Sequence, residues 1–420
     1  MSKQVNPNAL FLGSCLALIT TGLTFSIRAG ILPQLGENFN LSAEQLGFIN
    51  SMWFLGFPIS MILGGIFYYK IGPSNIMRFA FVSHTIGILL TIFATGYSSL
   101  LISTLFIGLG NGCTEAACNP LIADLYSGKK MDKMLNRFHM WFPGGIVLGS
   151  LISLLMTNMG ASWQTQMWVI MVPTILYAII FYGKAFPKPK QESATSLSNN
   201  FKAMYSPIFI FLFCCMALTA ISEFGPQQWV GIIMANSGAS PMLVLALVTG
   251  VMAVGRYFGG PVVKVLGQTG VLLFSAIFAT IGVYLFSVAT GGMVYLAAIL
   301  FAVGVCYFWP TMIATTAQRV PLSGAIGMSV IGGVGMFSTS IFQPIIGRWI
   351  DSSKAAVQQA GVQVENLDLA VGQATLAKLA LFPGILIIIF LFFYFWQKRT
   401  YKSPHEEETG SIDPQVETTV

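Results

Sequence analysis

Five ionisable side chains interrupt long apolar runs of this sequence: Arg28, Glu115, His139, Glu223 and Arg256. A charge at the centre of a bilayer costs about 2.5–3.5 kcal/mol on the insertion scale, so each needs a partner or a polar cavity. Thr21, Thr24 and Arg28 follow i, i+3, i+7 spacing and share one helical face. Two readings are open for Arg28: a cation in a central cavity, binding an anion or pairing with a carboxylate, or a side chain snorkelling to the outer interface. Gly108, Gly112, Glu115 and Asn119 share another face. There the glycines admit a neighbouring helix, and the carboxylate and amide reach a polar ligand or, for Glu115, Arg28. Thr219, Glu223 and Gln227 fall at i, i+4, i+8, with Pro226 expected to break the helix and Trp229 close by. Indole and amide together suit a sugar; alternatively they anchor the outer membrane surface. His139 either titrates near neutral pH in the cavity or borders a basic loop. Arg256 either faces the cavity or pairs with Glu223. His84 reads as packing, and Arg348 with Asp351 as a helix-end pair.

No P-loop, HExxH or dinucleotide fingerprint accompanies these residues, which argues against an ATP-driven pump and a membrane enzyme. The six cysteines lie in apolar stretches without metal-ligand spacing and read as small hydrophobes, so neither metal nor cofactor is expected. Leu12-Gly13-Ser14-Cys15 imitates a lipoprotein box, but too little apolar sequence precedes it, and a first transmembrane helix is expected instead.

The elements that must position these groups are membrane helices. Of 420 residues, only 9% are charged, against about 25% in a soluble domain, while 55% are hydrophobic. The mean hydropathy is +0.74. The net charge of +6 is spread thinly, with no basic stripe for nucleic acid. About twelve apolar stretches of spanning length occur, near 9–32, 44–69, 75–97, 98–126, 137–159, 163–186, 207–234, 241–264, 271–289, 291–317, 324–350 and 376–397. They are too long and too uniformly apolar for barrel strands. The fold class is therefore an all-α membrane protein.

With both termini cytoplasmic, 16 of the 21 Lys and Arg residues fall at cytoplasmic ends and loops, and only Lys354 and Lys378 lie outside. That bias sets the expected orientation, in a bacterial cytoplasmic membrane. The polar stretch 187–206 divides the chain into six-helix bundles at 1–186 and 207–402, with a disordered cytoplasmic tail expected over 403–420. Asn119-Pro120 in the fourth span is echoed by Trp309-Pro310 in the tenth, and Gly144-Gly145 by Gly332-Gly333, as in a duplicated transporter. Segment 352–374 reads as an outer interfacial loop.

The chain resembles the major facilitator superfamily over nearly its whole length, and within it the fucose-permease-like sugar:proton symporters. The narrower resemblance rests on the glycine-rich stretch Gly110–Pro120 with its Glu115 and Asn119-Pro120, on Leu135-Asn136 opening the fifth helix, on Glu223, and on Pro344, Gly347 and Asp351. It implies a sugar contact at Glu115 and a cavity position for His139. Two departures stand out. Tyr69 occupies the acidic position of the superfamily loop signature after the second span. Ala29, beside Arg28, occupies the position of the fucose permease's protonating Asp.

The expected protein is thus an alternating-access carrier of two pseudo-symmetric six-helix bundles, importing a sugar or sugar derivative with a proton. Its site is drawn from Thr24, Arg28, Glu115, Asn119, His139, Glu223, Gln227, Trp229 and Arg256. Glu115 is the expected proton carrier, charged when paired with Arg28, with Glu223 and His139 in reserve. The alternative cargo is a sugar acid or other organic anion clamped by Arg28 and Arg256. A drug exporter and a passive channel rank lower. A monomer already encloses a complete pathway.

Overall fold

The structure is a computed structural model that describes residues 4–188, 197–360 and 364–400. Within hydrocarbon every backbone N–H and C=O must be bonded inside its own segment, and the apolar runs accordingly fold as helices. The first half contains α1 (Pro7–Phe39), α2 (Ala43–Ile92), α3 (Tyr97–Leu125), α4 (Gly128–His139), α5 (Trp141–Asn158) and α6 (Trp163–Phe181). A short α7 (Leu197–Met204) falls within the stretch read as a linker. The second half contains α8 (Pro207–Gln228), α9 (Val230–Ile233), α10 (Pro241–Tyr257), α11 (Gly259–Phe286), α12 (Met293–Val305), α13 (Phe308–Arg319), α14 (Gly324–Gln359), α15 (Val364–Leu379) and α16 (Leu381–Thr400).

Ten helices among the described residues are long and apolar enough to cross a bilayer. One of them, the 50-residue α2, is two crossings: Gly72 sits at φ 77°, ψ 156°, a conformation that glycine adopts freely, and Pro73 starts the second leg. With the shorter apolar α10, the described residues provide helix for twelve crossings. Within the first half α1 packs on α5 and α6, and α2 on α3; within the second, α11 packs on α12 and α16, and α8 on α14. The halves meet mainly through α2 with α14 and α5 with α10.

At the end that carries the α1–α2 turn, the halves are pressed together. A Cβ on Gly47 would lie 2.5 Å from the Gln343 carbonyl, and one on Gly347 would lie 2.1 Å from that of Ala43. Ser51 and Ser340 hydroxyls bond at 2.9 Å. The Asp351 carboxylate accepts from the backbone N–H groups of Ala43 and Glu44 at 3.0 and 2.9 Å, capping α2 from the other half. Arg348 pairs with Glu44 at 2.9 Å. The helix-end pair expected between Arg348 and Asp351 is therefore replaced by two separate contacts across the interface.

Other expectations also need correction. The segment 352–374 is mostly helix, because α14 continues to Gln359 and α15 follows. Leu367 and Val371, one helical turn apart, are both buried, a signal that a loop reading overlooked. Pro226 does not end its helix. The break comes three residues later at Trp229, before α9. The tail 403–420 lies outside the described residues.

Candidate functional site

A cavity of about 1370 Å³ lies between the halves. Glu115, Asn119, His139 and Phe142 line it from the first half, and Glu223, Phe224, Arg256 and Trp309 from the second. Toward the end opposite the α1–α2 turn, its lining includes Lys133, Arg137 and Gln268. The cavity therefore opens at the end where the basic residues concentrate.

Its central feature is an ion pair. Arg256 Nη2 stands 3.3 Å from Glu223 Oε1. The Glu223 side chain is 3% exposed and that of Arg256 27%, and Glu223 Oε2 has no hydrogen-bond partner. The guanidinium is aimed by a proline. In a continuous helix the N–H of residue 310 would bond the carbonyl of residue 306, but Pro310 has none. The chain breaks between α12 and α13, and Arg256 Nε donates to the freed Cys306 carbonyl at 3.0 Å. Tyr307 adds a bond from its hydroxyl to the Gly255 carbonyl at 2.9 Å. Across the cavity, Asn119 Nδ2 donates to Glu115 Oε2 at 2.6 Å, while Asn119 Oδ1 has no partner. Gly108 and Gly112 set that wall against α2: a Cβ on Gly112 would lie 2.0 Å from the Phe57 carbonyl.

The inner end of the cavity is closed by aromatic rings from both halves. Phe25 is the hub, with ring centroids of Phe54, Phe142 and Phe224 at 6.3, 6.1 and 5.9 Å. Trp309 joins through Phe224 at 6.0 Å. Beyond this layer lies Arg28, which is 6% exposed and does not line the cavity. Its guanidinium carbon stands 5.0 Å from the Trp53 ring centroid and 5.8 Å from that of Phe54. Nη2 donates to Gln228 Oε1 of the second half. The sequence-derived pairing of Arg28 with Glu115 is not formed, and neither is the snorkelling alternative. Apolar and aromatic side chains bury the guanidinium instead, and Nε and Nη1 have no hydrogen-bond partner.

Thr24 also lies away from the cavity, at the head of a buried network. Its hydroxyl accepts from Trp53 Nε1 at 3.2 Å and from Asn111 Nδ2 at 3.1 Å. With Nδ2 so engaged, Asn111 Oδ1 faces His84 Nε2 at 2.9 Å, and Tyr177 OH meets His84 Nδ1 at 2.9 Å. His84 is therefore the Nε2–H tautomer, donating to Asn111 and accepting from Tyr177. Gln227 turns into the second half, with Nε2 3.8 Å from Met252 Sδ, and Trp229 is fully buried. Neither a sugar platform in this cavity nor a surface anchor describes these two residues.

Among the nine residues singled out from the sequence, the cavity thus gathers Glu115, Asn119, His139, Glu223 and Arg256, and leaves out Thr24, Arg28, Gln227 and Trp229. Residues that sequence reasoning missed as partners are Gln228, one step round the helix from Gln227, and Trp309, whose signal was the Trp-Pro pair at the tenth-span break. Among the described residues no cluster of His, Cys, Asp or Glu could hold a metal ion.

Two helical halves around a cavity with charged groups on largely apolar walls, closed at one end and open at the other, define a membrane carrier rather than an enzyme. A model of the Major Facilitator Superfamily matches residues 14–342, and the chain belongs to that family. It is 26% identical over 207 residues to the hexuronate transporter of Bacillus subtilis, covering 49% of this chain and about half (48%) of that relative. It is 25% identical over 363 residues to the cis,cis-muconate transport protein of Acinetobacter baylyi, covering 80% of this chain and 86% of the relative. The arabinose-proton symporter of Escherichia coli is 22% identical over 159 residues, 38% of this chain and 34% of the relative. In fold, the chain superposes on a mutant of the nucleoside transporter NupG with TM-score 0.74 at 13% identity, over 92% of this chain and 98% of that one. A bacterial homologue of the human lysosomal transporter Spinster, described as inward-facing and unoccupied, gives TM-score 0.72 at 18% identity, over 95% and 98%.

Proposed function

We propose that this carrier imports a small organic anion, sugar acids included, together with protons. The observation that carries the reading is the Arg256–Glu223 pair on the cavity wall, with one carboxylate oxygen unpartnered and a partly exposed guanidinium. A cargo carboxylate competes with Glu223 for Arg256, and protonation of Glu223 releases the guanidinium to take it. Lys133 and Arg137 at the mouth add positive potential, so three cations face the two carboxylates Glu115 and Glu223. Transport of hexuronate and of muconate by relatives supports an anionic cargo.

Glu223 is therefore the proposed proton carrier, in place of Glu115, which accepts a hydrogen bond from Asn119 rather than pairing with a cation. One proton falling through about 100 mV supplies about 2.3 kcal/mol, enough for a gradient of around fifty-fold. The concentration of Lys and Arg at the open end supports a cytoplasmic orientation of that end and of both termini, in a bacterial inner membrane. The described state then faces inward. One chain encloses the pathway, consistent with a working monomer.

A neutral sugar is the second reading, favoured by Glu115 and Asn119 as hydroxyl partners opposite Trp309, and by the resemblance of Gly110–Pro120 to fucose-permease-like symporters. Purified protein in liposomes with an internal pH dye separates the two. Acidification on adding D-glucuronate or cis,cis-muconate, lost in Arg256→Gln, supports the anion carrier. A response to glucose or N-acetylglucosamine that survives Arg256→Gln would transfer the assignment to a neutral sugar.

A further inference from the structure

Two glycines of α14 seat an indole in the cavity wall. A Cβ on Gly335 would lie 2.8 Å from Trp309 Cζ3, and one on Gly332 would lie 3.6 Å from Trp309 Cζ2. At i, i+3 spacing the two share a helical face, so α14 offers the ring a shelf free of side chains. Phe224 meets the same indole edge to face, with centroids 6.0 Å apart and planes at 70°. Wedged from both elements, Trp309 is still only half-buried, and it lines the cavity. A large aromatic surface is thus held in place without being consumed by packing.

That surface is tied to the ion pair at both ends. Trp309 stands three residues after Cys306, whose carbonyl accepts from Arg256 Nε at 3.0 Å. Its ring neighbour Phe224 directly follows Glu223, whose Oε1 stands 3.3 Å from Arg256 Nη2. Indole, guanidinium and carboxylate therefore form one patch of wall that a single small molecule can touch. Toward the seal the cavity is lined by Phe57, Phe142 and Met336. The rings of Phe57 and Phe142 join the aromatic layer at 5.7 Å from Trp53 and 6.1 Å from Phe25. Met336 precedes by one turn Ser340, which bonds Ser51 within the seal. None of these three can bond a hydroxyl.

We infer that Trp309 sets the specificity of this site, and that the cargo is a carboxylate on a flat, unsaturated body, such as an aromatic ring acid. The carboxylate takes Arg256 as Glu223 gives it up, and the ring stacks on the indole. An indole also accepts the apolar face of a sugar, but here the remaining hydroxyls would meet rings and a thioether and go unmatched. This assignment rests on the anion reading and narrows its substrate class from organic anions at large to flat ones.

Small aromatic acids cross bilayers unaided, so binding is read by titration calorimetry on purified protein in detergent. The probes are benzoate, cyclohexanecarboxylate, D-glucuronate and benzamide; the second has the charge and bulk of the first without its flat face. Benzoate should bind about tenfold tighter than D-glucuronate and about threefold tighter than cyclohexanecarboxylate. Trp309→Leu should weaken benzoate about tenfold and erase its advantage over cyclohexanecarboxylate, whereas Trp309→Phe, which keeps a ring, should stay within about threefold of wild type. Equal binding of benzoate and cyclohexanecarboxylate by the wild-type protein, or tighter binding of D-glucuronate, would overturn the proposal; loss of that binding in Arg256→Gln would leave the anion reading standing. Benzamide bound as well as benzoate, in Arg256→Gln too but not in Trp309→Leu, would support the indole platform and remove the anion reading. No binding of either flat probe overturns the proposal.

Discussion

Arg256 takes its direction from Cys306: its Nε donates at 3.0 Å to a carbonyl that is free because Pro310 has no N–H to bond it. A helix defect in one crossing thus sets the position of a charge on another. The same guanidinium reaches Glu223 with a different nitrogen, so the two contacts fix its plane.

Pro310→Ala should restore the helical bond to Cys306 and compete for that carbonyl. A bond to a charged donor contributes about 1.5–3 kcal/mol, and its partial loss should raise the KM for an anionic cargo by about three- to tenfold. Thermal stability should hold or rise, since the substitution removes a helix breaker. Transport kinetics beside a melting curve check both signs.

Glu223→Gln and Arg256→Gln should not be additive. Either change alone breaks the pair, whereas the double variant removes both charges, so a coupling of about 0.5–3 kcal/mol is expected in a thermal or chemical unfolding cycle. Glu223→Gln should retain anion counterflow but lose the response to an imposed pH gradient. Full pH coupling in that variant would remove Glu223 from the proton path.

The two charged contacts at the sealed end should differ in weight. Arg348 and Glu44 are solvent-exposed, with side chains 62% and 36% accessible, so their pair is worth about 0–1 kcal/mol, less in salt. Asp351 instead caps the α2 N-terminus with two backbone bonds, a contribution of about 1 kcal/mol or more. Asp351→Ala should increase thiol labelling of Asn50→Cys several-fold from the α1–α2 face. Arg348→Gln should leave it nearly unchanged.

His84→Ala should destabilise the first half without touching the cavity. It strands the Tyr177 hydroxyl and the Asn111 carbonyl oxygen, each about 1–3 kcal/mol when buried and unpaired. A lowered melting temperature with an unchanged KM is the expected pattern, measured on protein purified in detergent.

The crossings were legible in the sequence because hydrocarbon enforces length and apolarity, and so was the gathering of Glu115, Glu223 and Arg256 around a cavity. Each carries a cost in lipid that only polar surroundings offset. The fate of Arg28 was not legible. Its helix face is correctly read from Thr21 and Thr24, but whether that face meets the cavity or the seal depends on how the halves are tilted, which no local spacing encodes. The same limit separated Gln227 from Gln228: adjacent in sequence, they point about 100° apart, one into its own half and one across the interface. Pro310 carried a readable signal, but its effect falls on Arg256, which sits on another helix.

The aromatic layer around Phe25 has an electrical consequence. Water in the wide cavity extends the potential of one compartment deep into the protein, so most of the membrane voltage falls across the thin sealed region beyond it. On the proposed anion reading, a carboxylate carried across this region traverses nearly that whole drop, about 2.3 kcal/mol per charge for each 100 mV. An inside-negative voltage opposes the import of a lone monoanion. Under the proposed proton-coupled uptake of a monoanion, one proton makes the step electrically silent and two let the voltage itself drive uptake, so proton stoichiometry would decide whether the carrier answers to voltage.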